Sequence, residues 1–163
     1  MIEHPIPPVW DKDSRVLILG SFPSVRSRET GFFYGHPQNR FWRVLAALWE
    51  ESPSTDVDAK IAFLHRHRLA LWDVIASCEI TGSADSSIRH AVPTDISPIL
   101  QGAAIRCIVT NGASAASLFL KYQAHAAKDI PHISLPSTSP ANASWRMDRL
   151  TEVWQVIRTH TDE

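Results

Sequence analysis

No apolar run in this chain approaches the roughly 20 residues that a membrane-spanning helix needs, so no membrane partner is expected. Cysteine is scarce: Cys78 and Cys107 stand far apart and without CxxC spacing. That usage suits a reducing cytosol and argues against a metal site. The opening stretch MIEHPIPPVWDKD has neither a basic segment nor an apolar core, so no signal peptide is read and a cytoplasmic location is expected. An excess of one charge is missing too. The net charge is −1, so any DNA binding has to come from a local basic patch. GxGxxG does not follow the first strand and GxxxxGK[ST] does not occur, which counts against a dinucleotide or nucleotide enzyme. There is no internal repeat and no low-complexity tract. With 163 residues, 44% hydrophobic and 20% charged, the chain reads as one globular domain, 1–163, large enough to bury a core.

What is present is organised around residues 16–42, VLILGSFPSVRSRETGFFYGHPQNRFW. Val16 to Leu19 read as a buried strand, and Gly20, Ser21 and Pro23 stop it. The loop that follows carries Arg26, Arg28, Phe32, Phe33 and Tyr34 and closes on His36-Pro37-Gln38-Asn39. The apolar period of Phe41, Trp42, Leu45, Leu48 and Trp49 predicts a helix from about Asn39 to Glu50. A buried strand leading into such a loop is where an α/β protein places a site, at the carboxyl edge of its sheet.

Downstream, Thr55 with Asp58 reads as a capping box for a helix striped by Val57, Ile61 and Leu64. His65 to Arg68 reads as its solvated end. Leu69–Ile75 reads as a strand, and residues 77–96 as loop with at most brief structure. A short helix is expected over Asp95–Gln101, and Ile105–Thr110 is a strand turned by Asn111-Gly112 into a helix faced by Ala115, Leu118, Phe119 and Tyr122. Pro131–Leu135 is the last strand; Ser144 is expected to cap the last helix, with Leu150, Val153, Trp154 and Ile157 on its buried face. The alternation predicts a three-layer α/β/α fold around a four-stranded parallel sheet, with the Gly20 and Leu135 ends side by side.

The segments GSFPS and GHPQNRFW resemble the first motif of the uracil-DNA glycosylase superfamily, and Leu135 to Asn142, LPSTSPAN, resembles its second. The aromatic–small–His-Pro-x-Asn-Arg-Phe-Trp run is similar to that of the mismatch-specific uracil- and thymine-DNA glycosylases. Those enzymes carry Gly-x-Asn-Pro, whose asparagine positions the attacking water; here Phe22 holds that place and cannot hold a water. The Gly-Ser-Phe-Pro form and the Leu-Pro-Ser-Thr-Ser-Pro loop are closer to the hypoxanthine-DNA glycosylase branch. There the catalytic asparagine lies in the Asn-Arg-Phe-Trp segment, which maps onto Asn39.

The resemblance implies that Asn39 orients a water beneath C1′ of a flipped deoxynucleotide, its carbonyl accepting a hydrogen bond without titrating; a plain helix cap is the alternative. It implies a base pocket of Gly20, Ser21, Phe22, Tyr34, His36 and Asn111. Tyr34 is a stacking platform or a core ring. His36 donates to the base or braces the loop, and Asn111 reads a base edge or simply turns the chain. Ser24, Ser137, Thr138 and Ser139 are candidate phosphate grips. Pro140 and Asn142 belong to a short wedge, and Arg146 adds a cation. Arg26, Arg28, Arg40 and Arg43 against Glu29 make the first motif locally basic. No lysine lies in either motif. The expectation is a monomeric, cofactor-free, monofunctional glycosylase acting on DNA with deaminated bases, hypoxanthine first and uracil or thymine second. A non-catalytic nucleic-acid-binding module of the same fold is the alternative from another class.

Overall fold

Residues 1–162 are described by a computed structural model. The chain runs β1 (Ile2–Glu3), β2 (Val16–Gly20), α1 (Val25–Thr30), α2 (Phe41–Leu48), α3 (Val57–Arg66), β3 (Leu69–Asp73) and β4 (Ile75–Glu79). It continues through β5 (Arg89–Pro93), α4 (Ser97–Gly102), β6 (Cys107–Asn111), α5 (Ala113–Tyr122), β7 (His132–Leu135), α6 (Met147–Trp154) and α7 (Val156–Thr161).

A strand of consecutive aliphatic residues needs cover on both faces, and β2 receives it at the centre of a parallel sheet ordered β3-β2-β6-β7. Val16 and Ile18, with Leu69, Leu71, Cys107 and Val109, join one apolar cluster with α2, α3, α6 and α7. Leu17 and Leu19, with Ala70 and Ile108, join another, to which α4 contributes Ile99, α5 Phe119 and β4 Cys78. The period-2 alternation of β2 therefore divides the core into two layers, and the expected three-layer parallel architecture is present. Burial pushes the Cys107 thiol up to about 11 and the Cys78 thiol above its usual range, so neither is a ready nucleophile.

Several local expectations need correction. Residues 77–96 are not simply loop: β4 and β5 pair antiparallel and, with β1, form a second three-stranded sheet. The Gly20 and Leu135 ends share the carboxyl edge but are not adjacent, because β6 lies between them. The cap of α3 is Asp56, whose side chain accepts from Ala59 N at 2.8 Å, rather than Thr55. The last helical region starts after Arg146, with no side-chain cap from Ser144, and breaks at Gln155 into α6 and α7. His67 is not a solvated end: it stacks on Trp49 at 4.0 Å and meets Glu51 at 2.6 Å. Trp10 packs so tightly on Gly102 that a Cβ there would lie 2.5 Å from the indole.

Candidate active site

Parallel strands bring their carboxyl ends to one edge, so Gly20, Asp73, Asn111 and Leu135 lie there together. The two motif loops leave from this edge and enclose a cavity of about 250 Å³. That lies below the roughly 300–1,000 Å³ of clefts for drug-sized ligands, the scale of a single base.

Arg40 joins the loops. Its backbone N–H donates to Thr138 O at 3.1 Å. Its guanidinium donates to Ser139 O at 2.9 Å, to Asn142 O at 3.2 Å and to Trp145 O. This arginine of the basic cluster is thus a staple between the motifs. Arg28 is also engaged, donating to Gly82 O at 2.7 Å with its guanidinium 5.7 Å from the Phe22 ring centroid. Arg26 and Arg43 are exposed.

A side-chain relay crosses the same junction. α2 begins at Phe41, and Asn39, just ahead of it, accepts Phe41 N–H at its Oδ1 at 2.9 Å. The Thr138 hydroxyl donates to the same Oδ1 at 2.9 Å and accepts from Asn111 Nδ2 at 3.0 Å, while Thr138 N–H donates to Asn111 Oδ1 at 3.1 Å. A backbone N–H can only donate, so the Asn39 atom facing Phe41 is oxygen and its amide orientation is settled. Both lone pairs of that oxygen are occupied. Among the described residues Nδ2 has no protein partner, and Asn39 lines the cavity. The carbonyl was expected to hold water; the group available to the cavity is the amide NH₂. The N-cap position of α2 is Arg40, and Asn39 braces the turn before it through the Phe41 N–H.

Most of the other expected residues line the same cavity, and Asn142 and Arg146 do not. Gly20, Ser21, Phe22, Ser24, Tyr34, His36, Asn111, Ser137, Thr138, Ser139 and Pro140 all line the cavity. Tyr34 stacks on Phe41 at 4.0 Å and 19° and adopts φ +53°, outside the usual range for a non-glycine residue. Its hydroxyl is buried and has no well-formed hydrogen bond among the described residues. Burial, then the charge of Asp73, pushes that hydroxyl far above the ordinary tyrosine range, with Asn111 nearby opposing. His36 accepts Gln38 N–H at Nδ1, at 3.1 Å, which leaves Nε2 as its N–H. Ser24 caps α1, accepting Ser27 N–H at 3.1 Å. Thr138 is fully buried, whereas Pro140 and Arg146 are exposed. Asn142 donates from Nδ2 to Ser137 O at 3.0 Å and shapes its own loop.

Six lining residues were missed: Pro23, Ser27, Phe33, Asp73, Ser83 and Asp85. Asp73 ends β3 in register with Gly20, so the carboxyl-edge rule that singled out Gly20 also applied to it. Ser83 and Asp85 come from the tip between β4 and β5, which bends back onto the first loop. Ser21 Oγ donates to Asp85 Oδ2 at 2.8 Å, and Val25 N–H donates to Ser83 Oγ at 2.9 Å. Burial raises the Asp85 carboxyl above its ordinary value; the Ser21 bond opposes this and the Asp73 charge adds to it. Among the described residues, no group of three His, Cys, Asp or Glu side chains could hold a metal ion.

The profile of the Uracil DNA glycosylase superfamily matches residues 7–159, which include both loops and every strand of the parallel sheet. The chain belongs to that superfamily. It is similar to a protein of Methanosarcina acetivorans named hypoxanthine DNA glycosylase, at 32% identity over 98% of this chain and 100% of the relative. A Methanosarcina barkeri protein of the same name matches at 36% identity over 55% of this chain and 57% of its own length. A solution NMR structure from Methanosarcina acetivorans, described as a candidate uracil DNA glycosylase, superposes with a TM-score of 0.84 at 30% identity, covering 100% of both chains. Within this superfamily, the chain's Phe22 is buried and forms a wall of the cavity.

Proposed function

We propose that this chain is a monofunctional DNA glycosylase that hydrolyses the N-glycosidic bond of a deaminated base in DNA, with hypoxanthine as its principal substrate. The observation that carries the proposal is the relay from Asn39 through Thr138 to Asn111, which binds the two motif loops into one base-sized cavity. The names of its Methanosarcina relatives point to the same activity.

In this reading the flipped base enters the cavity, with Tyr34 and Phe22 as apolar walls. Asn39 holds the water oxygen by donating from Nδ2, leaving a lone pair directed at C1′. N-glycosidic cleavage has oxocarbenium character, as glycoside hydrolysis does, so positioning matters more than a strong base. His36 Nε2–H is available to the departing base or the sugar. Among the described residues no lysine lines the cavity, which favours water over an amine nucleophile. Ser24, Ser137, Ser139, Pro140, Asn142 and Arg146 supply the strand contacts, while Thr138 is spent on the relay. Phe22 removes the asparagine that uracil- and thymine-excising relatives use, and so weighs against that second reading. The protein acts as a monomer.

The test is a set of duplexes carrying hypoxanthine, uracil, xanthine or a T·G mismatch, scored for alkali-labile abasic sites. Hypoxanthine is expected to be cleaved fastest. Retention of DNA without any abasic site would leave only the binding-module reading.

A further inference from the structure

The cavity holds a carboxylate that the relay does not use. Asp73 closes β3 opposite Gly20, and its side chain is only 5% exposed. Its orientation is fixed by His4, a residue 69 positions earlier and itself 4% exposed. The His4 ring accepts Ile6 N–H at Nδ1, at 3.1 Å, so the proton sits on Nε2. Nε2–H then donates to Asp73 Oδ2 at 2.8 Å. Phe22 and Phe33 pack around the imidazole with ring centroids at 5.8 and 6.0 Å, so it has little room to turn. One carboxylate oxygen is therefore used and oriented.

The second is not. Among the described residues, Asp73 Oδ1 receives no hydrogen bond, and it lies beside Gly20 where that residue lacks a side chain. A Cβ at Gly20 would come within 2.5 Å of Oδ1. Oδ1 is the part of this nearly buried side chain that stays open to the cavity, and a carboxylate oxygen shielded from bulk water is costly to leave without a donor. A cavity that keeps such an atom is completed by a donor arriving with its ligand.

We propose that Asp73, oriented by His4, reads the flipped base: Oδ1 accepts the ring N–H of a lactam, the group that deamination creates. This rests on the glycosylase reading above and names its selectivity. Adenine presents a lone pair at N1; deamination to hypoxanthine puts a hydrogen there and an oxygen at C6. A carboxylate has only acceptors, so it welcomes hypoxanthine N1–H and repels adenine N1. Guanine also has N1–H, but its neighbouring amino group would need a second acceptor, and Oδ2 is already taken by His4. Sites built around one such hydrogen bond reject analogues lacking it by about 10⁴–10⁵-fold. Asp73 thus separates the damaged base from its parent at the atom where they differ.

The experiment is single-turnover cleavage of duplexes carrying hypoxanthine, N1-methylhypoxanthine or adenine, by the wild type and by Asp73→Asn. In the variant, His4 still donates to the amide oxygen, which turns NH₂ toward the base: a donor facing N1–H, but a match for adenine N1. The wild type is expected to cleave hypoxanthine about 10- to 150-fold faster than the methylated base, the scale of one lost hydrogen bond to a charged group. The hypoxanthine-to-adenine ratio is expected to fall by about 100-fold or more in Asp73→Asn. An unchanged ratio, or a wild type indifferent to N1 methylation, overturns the assignment while leaving the glycosylase reading intact. A wild type that cleaves no deaminated base overturns both. The methylation arm needs no variant, so poor folding of Asp73→Asn cannot shield the proposal.

Discussion

Asn39 and Asp73 line the same cavity, yet their surroundings are finished to different degrees. Around Asn39, the oxygen accepts two hydrogen bonds, Thr138 passes the chain on to Asn111, and Arg40 pins the second loop's carbonyls to the first. Around Asp73, and likewise around Asp85, one oxygen is held, by His4 and by Ser21, and the other has no donor among the described residues. A closed hydrogen-bond network fixes the geometry of the side chains in it. Open acceptors invite a ligand's donors. In the proposed reading the two sides divide the work: one sets where the sugar and water sit, the other selects the base.

The largest expected effect comes from undoing the closed side at Arg40. Arg40→Ala leaves the carbonyls of Ser139, Asn142 and Trp145 without their donor. About 2–4 kcal/mol of stability is expected to be lost, read as a drop of roughly 5–15 °C in melting temperature. An unchanged Tm would show that the loops hold together without the staple. Thr138→Val breaks the relay with little change of shape. It should cost about 1–2 kcal/mol and slow the chemical step about 10- to 100-fold, since Asn39 loses one of its two anchors. A stability loss with full single-turnover rate would reduce the relay to packing.

The smallest effect sharpens the open side. Burial, supplemented by the Asp73 charge, raises the folded pKa of Asp85 above its unfolded value. The native state then holds this proton more tightly, so stability falls as pH rises from the unfolded carboxylate range, about 3.9, through the folded pKa, and stays lower at neutral pH. Asp85→Asn keeps an acceptor for Ser21 and removes the charge. The variant should melt above the wild type at neutral pH, and that difference should disappear in acid below both pKa values. A difference independent of pH would place the cause elsewhere.

What the sequence made legible, and what it hid, follows from how many faces each segment buries. β2 and β6 are apolar on both faces and announce themselves as strands. β5 does not: Arg89, His90 and Val92 are exposed, and Pro93 ends the strand, so no alternation marks the hairpin that carries Asp85 to the cavity. The cap of α3 was misread by one residue because Thr55 and Asp56 are both good caps and only backbone geometry chooses between them. The motif residues were visible as letters, but the saturation of Asn39 Oδ1 depends on Thr138, 99 positions away. The pairing of His4 with Asp73 spans 69 positions and rests on a proline-rich N-terminal segment whose path no periodicity reveals. Local pattern found the strands and loops; contacts between distant segments decided which atoms are free.

In the proposed mechanism Asn39 presents a donor to the water while its oxygen is locked by Phe41 and Thr138. Asn39→Ala removes both functions, and Asn39→Asp keeps the locked oxygen but replaces the donor. Single-turnover cleavage of a hypoxanthine duplex, measured alongside thermal melting, tests this directly. The chemical step should fall about 100-fold or more in both variants, with about 1 kcal/mol of stability lost in Asn39→Ala and little in Asn39→Asp. An Asn39→Asp enzyme within a few-fold of the wild-type rate would contradict the donor role. An Asn39→Ala enzyme that keeps its rate would contradict the whole assignment.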